Sequence, residues 1–507
     1  MTVPRRRWAL VAARKAAGHT QESLAAALEV DRSTVVRWES GERTPLPFLQ
    51  PRLARMLGQS SEQLRALIDG PSQLNEFGHE RGESGPDLTA AYDWLDQQAG
   101  WSSDTSRRKV AARVARLDLW ALQDRQRRRA KVGRRQVADA LVDYYGSTAT
   151  DVARYRARCA DQVVSTSVVS RPDWLNFARP LSSGNGQPTL ADTLSASTAD
   201  LGEVGIKSAV RRLVEAAALG VRIADVPIYR LLDTDVVNGH VGRAVGVAPF
   251  VQYALTTDLL ETELIDAITG SRSDMPLRDK HLPDIASVID VSDRVCAGGV
   301  LALCAIARPA DRYRGAADYA LLVQERSGKV VNAAGRLSVI PKGFHRPLAD
   351  VRADAHLGTT LRRKFEEELL GRVDLDNTNG RLRMVDPMHP SRLSEPMRWL
   401  LDDPSRLRME CTGFGLNLVS GNYEYASLIV IEDDEFWARF GGHVEANWES
   451  VGLRQYSSLD NHLVADLIMQ DSWSNEGLFA FLQGIRRLSE IGGQRVSLQA
   501  VDMVDRS

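Results

Sequence analysis

The residues with the clearest chemical potential lie close to the start of the chain. Across RSTVVRWES, residues 32–40, a helix would put Arg32, Ser33 and Arg37 on one side and Val35 and Trp38 on the other, because positions three and four apart share a face. Such a helix buries its apolar side and turns guanidinium and hydroxyl groups outward as hydrogen-bond donors. Gln21, Thr34 and Arg43 add an amide, a hydroxyl and a third guanidinium nearby. A second group lies far downstream in Arg363, Glu366, Glu367 and Glu368. Carboxylates clustered on one helix are the oxygen donors that hard divalent cations take.

The elements that must hold the first group can be read in order. Pro4 to Ala17 carries Trp8, Val11 and Ala12 at helical spacing, and Gly18 ends that helix. Thr20 caps a second helix whose buried stripe is Leu24, Ala27 and Leu28. Glu29, Val30 and Asp31 make a turn, and Asp31 opens a third helix that runs to Ser40 and stops at Gly41. Pro47 to Leu57 and Ser61 to Ile68 supply a fourth and a fifth.

This order resembles the lambda-repressor and Cro-like (XRE-type) helix-turn-helix family over residues 5–68. Thr20-Gln21-Glu22-x-Leu24-Ala25, the Val30 to Val35 turn and helix start, and Trp38-Glu39-x-Gly41-x-Arg43-x-Pro45 carry the likeness. The resemblance implies a third helix that enters the major groove of double-stranded DNA with its first residues against base edges. It gives Arg37 a bidentate contact with guanine, Gln21 a contact with backbone or base, and Thr34 and Arg43 phosphate contacts that fix register. It also implies an Arg14–Glu39 pair with a structural role. Arg5, Arg6 and Arg7 fit two readings equally, phosphate neutralisation or a solvated chain end.

A chain of 507 residues exceeds a single core, so several domains are expected. A formal net charge of -2 supplies no global field for nucleic acid, so any DNA affinity is local. Cys159, Cys296, Cys304 and Cys411 are scattered, which argues against a zinc site or disulfide scaffold and fits a reducing cytoplasm. No apolar run reaches the roughly 20 residues of a membrane span, so no membrane partner is expected.

The expected layout is multidomain, α and α/β, with a five-helix head over 1–70. Residues 71–87 form a Gly/Pro/Ser-rich tether, 88–219 an arginine-rich helical region, and 220–507 a mixed α/β domain. In the middle region, Arg107 to Lys109 and Arg125 to Arg135 form either a phosphate-binding surface or the solvated face of a long helix with Val110, Val114, Leu117 and Leu119 buried. The aromatic pattern favours the solvated face, with Trp94, Trp101, Trp120 and Trp174 read as packing residues. From about residue 293 to 492 the strand Tyr319 to Arg326, the Pro-Lys-Gly turn and the helix Thr360 to Gly371 resemble the Nudix hydrolase domain. That likeness implies Glu367 and Glu368 as a magnesium-holding pair oriented by Arg363. Lys364 stands where the motif has its first glutamate and Leu370 where it has glycine. The expected function is a cytoplasmic, homodimeric, sequence-specific transcriptional regulator with a phosphorylated small-molecule effector and no resident cofactor. The alternative is a metal-dependent hydrolase of nucleoside-diphosphate-linked compounds fused to a DNA-binding head.

Overall fold

Three apolar clusters organise the chain. One of them, built on Leu24, Leu28, Val35, Trp38 and Leu53, belongs to the head alone. The chain divides accordingly into two compact units, Met1–Gly85 and Pro86–Ser507. The computed structural model describes residues 7, 10–11, 13–14, 17, 19–28, 30–40, 43–45, 49–59, 64, 67–68, 88–146, 151–159, 161–175, 178–181, 188–191, 201–223, 225–237, 240–241, 244–326, 335–348, 350–370, 388–441, 444, 450–504. The tether over 71–87, most of the first and fifth helices, and the stop at Gly41 lie outside these residues.

In the head, α1 (Gln21–Leu28), α2 (Arg32–Ser40) and α3 (Gln50–Met56) surround that core. In the larger unit the chain runs through α4 (Thr89–Gln98), α5 (Thr105–Val114), α6 (Leu119–Ala130), α7 (Arg134–Tyr145), β1 (Ala153–Cys159), β2 (Gln162–Ser170) and α8 (Gly202–Leu219). It continues with β3 (Pro227–Leu231), β4 (Ala244–Pro249), α9 (Phe250–Ala254), α10 (Leu259–Thr269), α11 (Pro276–His281), α12 (Ile285–Ile289), β5 (Gly298–Arg308), β6 (Asp318–Arg326), β7 (Leu337–Val339) and β8 (Lys342–Phe344). Last come α13 (Leu357–Leu369), α14 (Glu395–Asp402), β9 (Leu407–Asn417), β10 (Asn422–Ile431), α15 (Asp434–Phe440), β11 (Ser450–Ser457), α16 (Asn461–Met469), α17 (Asn475–Ile491) and β12 (Val501–Met503).

One large mixed sheet carries the order β7-β6-β5-β10-β9-β2-β1-β12, with β8 also on β5 and β11 also on β6. β5 and β10 pair in parallel and the other pairs of this path are antiparallel. Every residue of β5 is buried, as expected for a strand covered on both faces. Its alternate residues go to different cores. Val300, Ala302, Cys304 and Ile306 pack with Leu361, Phe365 and Leu369 of α13, whereas Leu301, Leu303, Ala305 and Ala307 pack with Leu478, Phe479 and Leu482 of α17. The expected mixed α/β region therefore takes the form of a helix–sheet–helix sandwich. Among the described residues no helix is long and apolar enough to cross a membrane, and all four cysteines are free and buried.

The region expected to be helical from 88 to 219 also contributes β1 and β2 to the sheet. In β1, Tyr155, Ala157 and Cys159 are buried, alternating with Arg154, Arg156 and Arg158, a two-residue period that the arginines hide. The expected long arginine helix is two helices, since residues 115–118 break it and the Asp118 carboxylate accepts the Trp120 and Ala121 N–H groups to start α6. Leu119, expected to be buried, is 53% exposed, and Trp120, expected to pack, is 77% exposed.

Leu122 is the one buried residue of α6, so apolar packing alone holds this helix weakly. Arg129 supplies the rest: its Nη1 lies 2.7 Å from Glu215 Oε2 on α8 and its Nε 2.7 Å from Asp266 Oδ1 on α10. Removing Arg129 leaves Glu215 and Asp266 with Arg211, which is itself more exposed. Arg129→Ala is therefore expected to lower the unfolding free energy of the larger unit by about 1–3 kcal/mol, while Arg127→Ala, on the exposed side, stays within about 0.5 kcal/mol of wild type. Denaturant midpoints of the two variants check this, and equal effects would remove Arg129 as the anchor.

Candidate nucleic-acid interface

The head starts its helices with local hydrogen bonds. Ser23 N–H donates to Thr20 Oγ1 at 3.0 Å and Thr20 N–H to Ser23 Oγ at 2.9 Å, a reciprocal cap that satisfies the first amides of α1. At the start of α2, Thr34 N–H donates to the Asp31 carbonyl at 2.9 Å.

The position of α2 depends on Glu39 in its last turn, which is buried. Arg14 Nε donates to Glu39 Oε1 and Gln21 Nε2 to Glu39 Oε2, both at 2.6 Å. Gln21 Oε1 in turn accepts from Arg32 Nη2 at 3.3 Å. A relay of four side chains thus ties the Arg14 segment and the start of α1 to both ends of α2. A buried carboxylate is tolerated only when paired and hydrogen-bonded in this way. The Arg14–Glu39 pair is as expected. Gln21 has a positioning task in the free head that the sequence did not disclose, because its amide is already committed to Glu39.

Arg7 is a clamp and not a free end charge. Its Nη1 donates to the carbonyls of Trp38 at 3.0 Å and Arg43 at 2.6 Å, and its Nη2 to Thr44 Oγ1 at 2.9 Å. Arg5 and Arg6 lie outside the described residues. Arg32, Ser33, Arg37 and Arg43 are exposed and Thr34 is half-buried. Arg32 also lies 2.5 Å from Glu22 Oε1, a solvent-screened pair that a phosphate or base can replace. Val36 completes the outward face and was not singled out from sequence. It sits one turn beyond Arg32, is exposed, and offers methyl groups of the kind that pack on thymine. Its i+4 spacing from Arg32 was the available signal.

Residues 10–67 match the family model described as helix-turn-helix. The segment is thus similar to the helix-turn-helix family, which supports a DNA-binding reading of the head. No curated protein matches the chain, and the resemblance of residues 293–492 to the Nudix family gains no support from the comparisons.

The second expected site lies inside the larger unit. Glu366, Glu367 and Glu368 of α13 are all buried. Lys364 Nζ lies 3.1 Å from Glu367 Oε2 and 3.5 Å from Glu368 Oε1, so an ammonium stands beside the two carboxylates expected to hold a metal. Gly343 makes room for it, since a Cβ there would lie 2.3 Å from Lys364 Cε. Arg363, expected to orient these carboxylates, donates both Nη1 and Nη2 to the Arg346 carbonyl at 3.1 Å. Glu366 Oε1 accepts the Ser394 N–H at 2.9 Å. Among the described residues no three His, Cys, Asp or Glu side chains are grouped to hold a metal ion.

On the opposite face of the sheet, Lys342 Nζ donates to Glu476 Oε1 at 2.6 Å, and Asn417 Nδ2 to Glu476 Oε2 at 3.3 Å. Burial acts to raise the Glu476 carboxyl, and the Lys342 charge overcomes it and holds it low. Its neighbour Glu424 has the opposite fate: burial, reinforced by the Glu476 charge, pushes it up to about 8 despite Lys342 and Asn417. A carboxyl whose folded pKa exceeds its unfolded value favours the fold when protonated. The Glu424 contribution is therefore complete below about pH 4.3 and is lost as pH rises towards 8. Glu424→Gln is expected to flatten the decline in stability of the larger unit between pH 5 and 8 (about the span between those two values). Denaturation series across that range read it, and an unaltered pH slope would contradict the assignment.

Proposed function

We propose that the protein is a sequence-specific DNA-binding transcriptional regulator of the cytoplasm, acting as a homodimer on a pseudo-palindromic site. A second copy supplies the half-site that one small head cannot specify alone. The observation that carries the reading is the outward face of α2, where Ser33, Val36 and Arg37 are exposed while the Glu39 relay fixes the helix behind them. Gln21, Arg32, Thr34 and Arg43 complete the contact set, with phosphate roles for Thr34 and Arg43. Arg37→Ala is expected to weaken specific binding by about 1–3 kcal/mol, or roughly 5- to 150-fold, while leaving the melting temperature of the head unchanged. Fluorescence anisotropy on the selected site measures this, and wild-type affinity would mean that Arg37 does not read a base.

The larger unit is proposed to sense a small phosphorylated metabolite or to assemble the regulator. Sensing draws its support from a cavity of about 170 Å³ between α8, α10 and the start of α11, whose lining sets Arg211, Arg212 and Arg272 beside Glu215, Glu263, Asp266 and Asp274. Arg211 and Arg212 are paired with acids, which leaves Arg272 as the cation for an anionic group. Drug-sized ligands occupy about 300–1,000 Å³, so the effector is expected to be smaller than a dinucleotide. Titration calorimetry against sugar phosphates and nucleoside monophosphates should find a ligand whose heat disappears in Arg272→Ala. Silence across such a panel would leave assembly as the role of this unit.

The hydrolase alternative has α13 and the Glu367–Glu368 pair in its favour. Lys364 beside both carboxylates counts against it, because a magnesium ion would have to displace that ammonium.

A further inference from the structure

The arginine-rich stretch from α5 through α6 carries exposed cations that the packing of the larger unit does not use. Between Thr105 and Lys131 there are ten Lys and Arg residues against only Asp118 and Asp124, although the whole chain is slightly acidic. Arg129 turns inward to Glu215 and Asp266. Arg113, Arg116, Arg127 and Lys131 are exposed and have no ion-pair partner among the described residues. Trp120 stands two turns before Arg127 on the same side of α6, at i and i+7, with its indole 77% exposed.

An indole left in water forgoes one of the largest gains a side chain can make on burial. Leu119 beside it is also exposed, and these two residues are the only large apolar side chains of α5 and α6 so placed among the described residues. A protein partner of ordinary interface size would require a wider apolar centre. Arg127 and Lys131, at i+7 and i+11, share the side of Trp120, and Arg113 and Arg116 come shortly before it in the chain. Exposed cations beside one aromatic plane match instead a repeating anion with flat, apolar bases between its charges.

We infer that the α5–α6 segment of the larger unit is a nucleic-acid-binding surface, with Arg113, Arg116, Arg127 and Lys131 on the phosphate backbone and Trp120 against a sugar or an unpaired base. It extends the DNA-binding reading with contacts that carry no sequence preference, and it stands on a surface separate from the head. Each phosphate neutralised on duplex DNA releases condensed counterions, so these contacts appear in the salt dependence of affinity and not in sequence discrimination.

The test uses the full-length protein and a labelled duplex of mixed sequence, with anisotropy titrations over a range of salt concentrations. Combined Arg113→Ala, Arg116→Ala, Arg127→Ala and Lys131→Ala should make the slope of log K against log salt shallower by roughly 3 to 4. The matching charge-conserving set, with each Arg→Lys, should keep the wild-type slope, and denaturant midpoints near wild type confirm that all variants fold. Trp120→Ala should weaken binding of a single-stranded oligonucleotide by about tenfold. A wild-type slope in the fourfold alanine variant overturns the inference, including when that variant has lost binding to an acidic polypeptide. Arg37→Ala in the same assay separates the two surfaces. Measured on the specific site beside the mixed duplex, it should lower the preference for that site about 5- to 150-fold and leave the α5–α6 share of the slope intact, so unchanged preference counts against the head and not against the α5–α6 segment.

Discussion

A single buried carboxylate, Glu39, controls the geometry of the head. Desolvation makes its charge costly, and the cost is offset only when Arg14 and Gln21 both reach it. Because these residues come from different segments, the recognition helix has one low-energy position, and its other end is tied through Gln21 to Arg32. Arg7 adds a second restraint by gathering the Trp38 carbonyl in the last turn of the helix and the Arg43 carbonyl beyond it. The outward face is thereby presented in a fixed orientation before DNA arrives, and little ordering entropy is left for binding to supply.

The larger unit applies the same device repeatedly. Arg129 joins α6 to α8 and α10 through Glu215 and Asp266, Lys342 joins β8 to the first turn of α17 through Glu476, and Lys364 lies between β8 and its own helix partners Glu367 and Glu368. Buried ion pairs add little net stability compared with apolar packing, but each is expensive to break. In a sandwich whose two cores are dominated by Leu, Val and Ala, such pairs select one register among several that hydrophobicity alone would accept. That is our hypothesis for their presence here, and it explains why Glu424, left without a cation of its own, holds its proton near neutral pH.

The head was legible because its signals are local. Thr20 and Ser23 cap within one turn, Val35 and Trp38 face inward by spacing alone, and the match over residues 10–67 agrees with that reading. Gln21 was only half legible, since its bond to Glu39 spans 18 residues of sequence. In the larger unit, the strand read over Tyr319 to Arg326 was visible as an apolar run and falls on β6. β1 was not, because every second residue is an arginine whose charge masks the alternation. Glu367 and Glu368 were read as a metal-holding pair from their place on one helix, and spacing along a helix cannot reveal that Lys364 folds over Gly343 to meet these carboxylates inside. Trp120 is the converse case. Composition says that tryptophan packs, and only the break at residues 115–118 turns this one to solvent.

The central claim is that α2, held by Glu39, reads a DNA sequence. Selection of bound sites from a random duplex pool by the full-length protein tests it most directly. The account predicts enrichment of an inverted repeat with half-sites about one helical turn apart, and loss of preference at one base pair of each half when Arg37→Ala repeats the selection. Recovery of sequences without a common motif, at affinities that differ only with salt, would contradict it.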